Sequence, residues 1–150
     1  FEVVNINVGA WTMDFEGLQA ENAYMEVGAG QIVLKDAEVN DLILSVGAGL
    51  VKLEDMEVST LDAEIGLGEF VAEGAVKDNV YVEYSMGNVE LELEGRKRDF
   101  NYYISNATGN VELDGDSYGG LSGEHNIDNG AEKDMTVDCA MGNISIDFRE

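Results

Sequence analysis

The sequence lacks proline and contains a single cysteine, Cys139, and a single histidine, His125. One cysteine cannot form an internal disulfide or supply a cysteine-rich zinc site. The absence of proline suits repeated strand ladders, because proline cannot donate a main-chain hydrogen bond to a ladder. The sequence also lacks a run of about 20 apolar residues, so it predicts no membrane insertion.

Basic residues are scarce as well. Lysine and arginine number 8 against 31 aspartates and glutamates, and the net charge is −23. Because nucleic acids are bound mainly by cations that neutralise phosphates, this charge argues against nucleic acid as a partner, and it disfavours an anionic membrane surface. Hydrophobic residues still make up 45% of the chain, which is enough for a core, so the charge does not predict disorder.

A 19-residue repeat organises the chain. Its copies end at Trp11, Gly30, Gly49, Gly68 and Gly87, followed after insertions of about 3 and 14 residues by Gly109 and Gly142. On both sides of each glycine, apolar and polar residues alternate, as in Met25, Val27, Ile32 and Leu34 of the second copy. A period of two predicts strands with one buried face. The glycine allows a turn between two short strands in each repeat.

One such repeat cannot bury its apolar face alone, so successive repeats are expected to stack with equivalent strands parallel. The predicted fold is all-β, a single β-solenoid domain (a parallel β-helix) of about seven coils over residues 1–150. The coils are predicted to be regular in 1–95 and irregular, with insertions, in 96–150. The preference for right-handed crossovers favours a right-handed coil.

The two ends of the stack need covers, since an open solenoid exposes its core and its strand edges. Phe1, Trp11 and Phe15 are expected to form an aromatic cap at the beginning. The strand over residues 143–148 is expected to close the other end. The segment 115–134 is rich in turn formers and predicts a surface loop or irregular coil.

Three glutamates are the candidate metal ligands. Glu54, Glu73 and Glu92 occupy the same outward position in consecutive coils, about 5 Å apart if the coils stack like strands in a sheet. A divalent cation such as calcium would relieve their repulsion, because it prefers oxygen ligands. The alternative is that they form a solvated, salt-screened face with no cofactor.

Two surfaces are candidates for binding a partner. The basic stretch Arg96, Lys97 and Arg98 lies in an insertion and either docks an acidic partner or forms a solvated turn. Tyr24, Tyr81 and Tyr103 share an outward column with Ile43. They predict either an exposed strip for sugar rings or another protein, or side chains that pack under a loop. No catalytic constellation is recognisable, since Cys139 falls in an inward column and His125 stands in a polar segment.

The units Val27–Gly30 and Val46–Gly49, each followed by an alternating strand such as Gln31–Leu34 or Leu50–Leu53, resemble a bacterial domain family of unknown function that carries an adhesin label. The resemblance implies a glycine-rich, β-helix-like solenoid. It also implies a place outside the cytoplasm or on the cell surface, with an anchor that precedes Phe1. The family offers no established catalytic residues to transfer.

Together these features predict a non-enzymatic, adhesin-like or envelope-sensing solenoid that presents an acidic surface to an envelope protein or glycan. The first alternative is a carbohydrate-active β-helix enzyme that acts on an acidic polysaccharide. The second is a structural module that assembles by stacking its ends or edges.

Overall fold

The structure is a computed structural model that describes residues 2–117 and 123–149. These residues form nine strands and one short 3-10 turn at Lys97–Asp99. The strands are β1 (Val3–Val8), β2 (Thr12–Glu16), β3 (Gln19–Lys35), β4 (Glu38–Val76), β5 (Val80–Glu94), β6 (Phe100–Leu113), β7 (Asp116–Ser117), β8 (Gly123–Ile127) and β9 (Lys133–Arg149). The chain is therefore nearly all β in the described ranges, as the alternating pattern predicts.

Parallel pairing at an offset of 19 residues builds the fold. Val3 pairs with Asn22 and Thr12 with Gln31, so β1 and β2 both lie against β3. The same offset joins β3 to β4 and β4 to β5. Within the long strand β4, it brings Gly66 beside the carbonyl oxygen of Gly47. Equivalent residues of successive repeats thus stack in register in an open sheet, which gives a solenoid-like β fold.

The order of the last layers differs from the expectation. The sheet runs β1-β3-β4-β5-β9-β6-β7, so the C-terminal strand β9 lies between β5 and β6 and does not close the stack. Val82 pairs with Val137, and Val137 pairs with Ile104 on its other side. Strand β6 instead forms the last parallel layer, and β9 lies in the space between β5 and β6. All three strands offer the same alternating pattern, so the pattern alone does not fix their order.

Two short strands separated by a glycine turn were expected in each repeat, but the glycines do not interrupt the strands. Strands β3, β4, β5, β6 and β9 each continue through them, because the glycines also pair from layer to layer. We call this region the glycine corner, the strand before it the first arm, and the strand after it the second arm. At Gly68, φ is +137°, and a Cβ would collide with the carbonyl oxygen of Gly49 in the layer below. Glycine is therefore required here for two reasons, the bend of the chain and the close approach of the neighbouring layer.

One hydrophobic cluster runs through the stack from Val8 to Ile146. Its inward columns are those that alternation predicts, with Ile32, Leu53, Phe70, Leu91 and Val137 all fully buried. Outward residues of the same strands are exposed or half-buried. The core thus fixes which side chains of each arm point to solvent.

The C-terminal end of the stack is covered. Strand β8 pairs antiparallel with the first arm of β6, and β7 pairs with the end of its second arm. The Asn101 side chain accepts hydrogen bonds from the main-chain N–H groups of Asn129 (2.9 Å) and Ala131 (3.1 Å). The Tyr102 hydroxyl donates to the Lys97 carbonyl (2.6 Å). Within segment 115–134, where a surface loop or irregular coil was expected, residues 118–122 lie outside the described residues, 116–117 and 123–127 form short strands, and 128–132 form no strand.

The N-terminal end of the stack is open. Strands β1 and β2 pair only with β3, and their inward side chains Ile6, Met13 and Phe15 are only half-buried. The prediction of an aromatic cap is wrong for Trp11, whose ring is 77% exposed. Its position at the glycine corner turns its side chain outward from the core. Phe1, the third member of the predicted cap, lies outside the described residues.

Candidate functional site

The outward side chains of the first arms form two parallel columns, which together we call the tyrosine face. In stacking order, the first column is Asn5, Tyr24, Ile43, Asp62, Tyr81, Thr136 and Tyr103, and the second is Asn7, Glu26, Ser45, Glu64, Glu83, Asp138 and Ser105. The three predicted tyrosines therefore share one column. Their side chains remain exposed, at 43% for Tyr24, 40% for Tyr81 and 47% for Tyr103, and are not packed under a loop.

Tyr81 and Tyr103 stand two layers apart, because Thr136 of β9 lies between them. At the usual strand spacing this separation is about 9.5 Å. A groove of about 210 Å³ lies here, and its lining includes Tyr81, Tyr103, Thr136 and Asp138 together with Glu124 from β8. A second groove of about 280 Å³ lies beside Tyr24 at the other end of the face. The face thus offers planar rings and polar groups along one straight line.

The tyrosine face carries carboxylates in the column of the rings and in the neighbouring column. Neither column contains a lysine or an arginine at any of its described positions. The Tyr81 hydroxyl donates a hydrogen bond of 3.4 Å to Glu83. The negative charge of Glu83 is the main cause that raises the pKa of Tyr81, with smaller contributions from burial, from that hydrogen bond, and from Asp138 and Asp62. The local potential is therefore negative, which favours a cationic or hydrogen-bond-donating ligand.

The predicted metal ligands lie on the second arms and have cationic partners. Lys52 and Lys35 lie 2.7 Å and 3.6 Å from the carboxylate of Glu54. Arg149 lies 3.1 Å from Glu73 and 3.2 Å from Glu92, so that one guanidinium bridges two layers. The hydrogen bond from Lys52 is the main cause that lowers the pKa of Glu54, and the charges of Lys52 and Lys35 add to it. We call Glu54, Glu73 and Glu92 the carboxylate column.

Stacking does place Glu73 directly opposite Glu92, as the repeat predicts. In the described ranges 2–117 and 123–149, however, no group of three or more histidine, cysteine or acidic side chains has the geometry to hold a metal ion. The cationic partners supply the neutralisation that a metal would otherwise provide. Calcium binding at the carboxylate column stays a prediction.

The basic stretch at 96–98 is built into the C-terminal cover. The Arg96 main-chain N–H donates to the Asp99 carboxylate at 2.9 Å, which closes the 3-10 turn. The Lys97 side chain forms a salt bridge with Asp116 of β7. Arg98 is exposed. A cavity of about 570 Å³, lined by Glu94, Gly95, Arg96, Asp99 and Arg149, opens beside this turn. Partner binding by these residues stays a prediction.

The reactive groups of the core are poorly placed for chemistry. Cys139 is 1% exposed and pairs with Tyr84 and Asn106 in the neighbouring layers. Burial is the main cause that raises the pKa of its thiol, and it also raises the pKa of the Tyr84 hydroxyl. A buried neutral thiol is a poor nucleophile, so the column packs as part of the core.

One exposed apolar feature at the glycine corner was not predicted from the sequence. Leu67, Met86 and Met141 occupy consecutive layers and are 50%, 45% and 44% exposed. Their register depends on the placement of β9 beside β5. The run Met-Gly-Asn at 86–88 and 141–143 marks Met86 and Met141 as equivalent positions, but it does not place their layers side by side, since the longer run Gly-Asn-Val-Glu-Leu recurs at 87–91 and 109–113 in strands that are not neighbours.

None of the helical segments in the part of the chain that the structure describes has the length and apolar character needed to cross a bilayer. Neither a search of curated proteins nor a search of solved structures gives a match. A family model does match, and it covers residues 4–147. The chain thus belongs to the Toastrack DUF4097 family, a domain of unknown function.

Proposed function

We propose that this protein is a non-enzymatic binding module of the bacterial cell envelope, and that its ligand lies along the tyrosine face. The proposal takes the fold as a right-handed solenoid of about seven coils, since right-handed crossovers are strongly preferred. It retains the adhesin-like or envelope-sensing role that the sequence resemblance implies. The place of the protein outside the cytoplasm is part of the proposal.

The groove between Tyr81 and Tyr103 is the observation that carries the proposal. Two exposed tyrosines stand two layers apart on the parallel ladder, about 9.5 Å at the usual strand spacing. Polar groups of Thr136 and Asp138 lie between them. Exposed aromatic rings that flank convergent polar groups are typical of sites that bind a ligand with both apolar faces and hydrogen-bonding edges.

The charges of the face favour a ligand that carries amines. Asp138 and Glu124 line the groove, Glu83 accepts a hydrogen bond from Tyr81 at its edge, and neither column of the tyrosine face contains a lysine or an arginine at its described positions. An ammonium group is attracted electrostatically by these carboxylates and by the faces of the tyrosine rings. An anionic polysaccharide would meet repulsion from a chain of net charge −23. We therefore favour an extended envelope glycan that bears free amino groups.

Calorimetric titration with chitosan oligomers, which carry free amines, tests the proposal. Their N-acetylated counterparts and an anionic oligogalacturonate serve as comparison ligands. The amine-bearing oligomer is expected to bind, the acetylated one to bind more weakly, and the anionic one not to bind. Equal binding of all three, or binding of none, would contradict the proposal. Binding of only a basic protein from the envelope would overturn the glycan assignment.

Variants locate the site. With each exposed ring contributing about 0.5–1 kcal/mol to cation binding, the double variant Tyr81→Ala/Tyr103→Ala is expected to weaken affinity about tenfold. Glu83→Gln should have a smaller effect of the same sign. Trp11→Ala is the matched control, since this ring is 77% exposed but lies outside both columns. An equal loss of affinity in the control would show that the ligand does not use the tyrosine face.

The alternative function is a carbohydrate-active enzyme, and one observation favours it. Arg149 joins Glu73 and Glu92 beside the cavity of about 570 Å³, which places carboxylates and an arginine on one outer surface. A paired set of carboxylates is what glycoside cleavage needs. Incubation with acidic polysaccharides tests it. Release of reducing ends that is lost in Glu73→Gln and Glu92→Gln would support the enzyme and reject the binding module.

A further inference from the structure

The open N-terminal end of the stack presents an unusual strand edge. Strand β1 pairs with β3 on one side only, and its other edge meets no strand in the described residues. Natural proteins usually protect such an edge with charges, proline or a covering segment, because free main-chain groups invite pairing with another chain. Here Val3 is 53% exposed and the inward Ile6 is half-buried. Ile6 packs against the core on one side, and the described residues bury neither side chain fully.

Charge distinguishes β1 from every other strand. Its sequence, Val-Val-Asn-Ile-Asn-Val, is the only strand sequence among the described residues without an ionisable side chain. The chain as a whole has a net charge of −23, so two copies repel each other over most of their surfaces. The edge of β1 is therefore where a second copy can approach with the least repulsion.

The main-chain groups of this edge can be identified. The carbonyl oxygen of Glu2 accepts a hydrogen bond from the Asn22 N–H (2.9 Å), so the main-chain groups of Glu2 face β3. Orientation alternates along a strand, which turns the groups of Val4 and Ile6 toward β3 as well. The groups of Asn5 and Asn7 then face the free edge.

We propose that β1 pairs antiparallel with β1 of a second copy of this chain, about a two-fold axis at Ile6. This register sets Asn5 opposite Asn7 of the second copy, and both have main-chain groups at the edge. Each such pair can exchange both of its hydrogen bonds. The register also keeps the inward side chains of the two copies on one side of the joined sheet, so that the half-buried Ile6 residues cover each other. The contact is isologous and closes as a dimer.

The opposite end of the stack does not offer the same contact. Strand β8 there is short, spanning Gly123–Ile127, and carries Glu124 and His125. Short, charged edge strands are poor templates for pairing. We therefore expect a dimer and not a filament.

Sedimentation equilibrium over a concentration series tests the proposal on the chain as it stands. The mass is expected to double with rising concentration, and added salt should strengthen the dimer by screening repulsion. Amide hydrogen exchange at Asn5 and Asn7 should slow as the dimer forms. A chain that stays monomeric at high concentration and high salt would overturn the proposal. So would slow exchange at Asn5 and Asn7 in a monomer, because another segment would then cover the edge.

Two variants separate the contact from the fold. Asn5→Pro removes the N–H at the free edge, a position where a strand tolerates proline, and is expected to abolish the dimer. Asn5→Ser keeps that N–H and should still dimerise. A second variant covers the case in which Asn5→Pro lowers the melting temperature. Asn5→Glu/Asn7→Glu places like charges across the two-fold axis and should also be monomeric. Asn126→Glu, on β8 beside Tyr103 at the opposite end of the stack, is its control and should dimerise normally. A dimer that survives Asn5→Glu/Asn7→Glu would refute the pairing.

Discussion

The tyrosine face and the carboxylate column share one ladder and one core, but they differ in what neutralises their carboxylates. On the second arms, Glu54, Glu73 and Glu92 pair with Lys35, Lys52 and Arg149. On the first arms, Glu83 and Asp138 stand beside Tyr81 with no basic side chain in either column. Stacked carboxylates that form salt bridges with lysine or arginine stabilise the stack. Stacked carboxylates without such partners can interact with a positively charged ligand. For this reason we assign ligand binding to the tyrosine face.

The largest expected loss of stability comes from a substitution in the glycine corner, which lies between the first and second arms that carry the two surfaces. Gly68→Ala forces a Cβ against the carbonyl oxygen of Gly49 at a residue whose φ is +137°. Strain and clash together are expected to lower the free energy of unfolding by about 3 kcal/mol. Gly9→Ala is the control, since nothing lies within 4 Å of its Cβ position. Denaturant unfolding measures both variants, and equal stability would contradict the role of the glycine corner.

Removing the shared cation of the carboxylate column should have a smaller effect. Arg149→Gln leaves Glu73 and Glu92 opposite each other without the guanidinium that bridges them. The two exposed ion pairs are expected to contribute about 1 kcal/mol at low salt, and less as salt is added. Arg98→Gln, at another exposed arginine, should leave the melting temperature unchanged. A loss of stability that does not depend on salt would argue against an electrostatic origin.

The stability that Glu54 contributes should depend on pH, which tests the salt bridges of the carboxylate column. Its pKa in the folded chain is lowered from 4.5, mainly by the hydrogen bond from Lys52. A lowered pKa contributes stability that is present above the unfolded value and is lost as pH falls through the folded value. Wild type should therefore melt at a higher temperature than Glu54→Gln at neutral pH, and the difference should shrink as the pH falls below 4.5 and vanish below the lowered pKa of the folded chain. A difference that grows on acidification would contradict the assignment.

The smallest effect is spectroscopic and probes the tyrosine face alone. Glu83 is the main cause of the raised pKa of Tyr81. Glu83→Gln should let one tyrosine ionise at lower pH, as followed by phenolate absorbance in a pH titration. Glu73→Gln, which removes a carboxylate from the other face, should leave that titration unchanged. The same shift in both variants would mean that net charge and not the neighbouring carboxylate sets the pKa of Tyr81.

Alternation in the sequence predicted much of this geometry. Inward residues such as Ile32 and Leu53 are buried, the register is 19 residues, and the three tyrosines share an exposed column. Each of these results depends on patterns within one repeat or between consecutive repeats. Such patterns fix which face a side chain occupies, because a shift by one residue would turn the apolar set outward.

The placement of β9 could not be read from the alternation, and two features of the faces depend on it. Arg149 reaches Glu73 and Glu92 because β9 lies beside β5. Thr136 separates Tyr81 from Tyr103 for the same reason. The pairing partner of a distant strand depends on the whole stack, and every inner column here is compatible with either order. Matching runs do not give the order either, because Gly-Asn-Val-Glu-Leu occurs at both 87–91 and 109–113, in strands β5 and β6, which are not neighbours.

Backbone amide chemical shifts recorded during titration with a chitosan oligomer test the central claim most directly. We predict that the shifted amides cluster in the first arms of β5, β9 and β6, around Tyr81, Thr136 and Tyr103, while the second arms with Glu54, Glu73 and Glu92 stay unchanged. Saturable shifts centred on the carboxylate column, or no saturable shifts at all, would contradict the assignment of ligand binding to the tyrosine face.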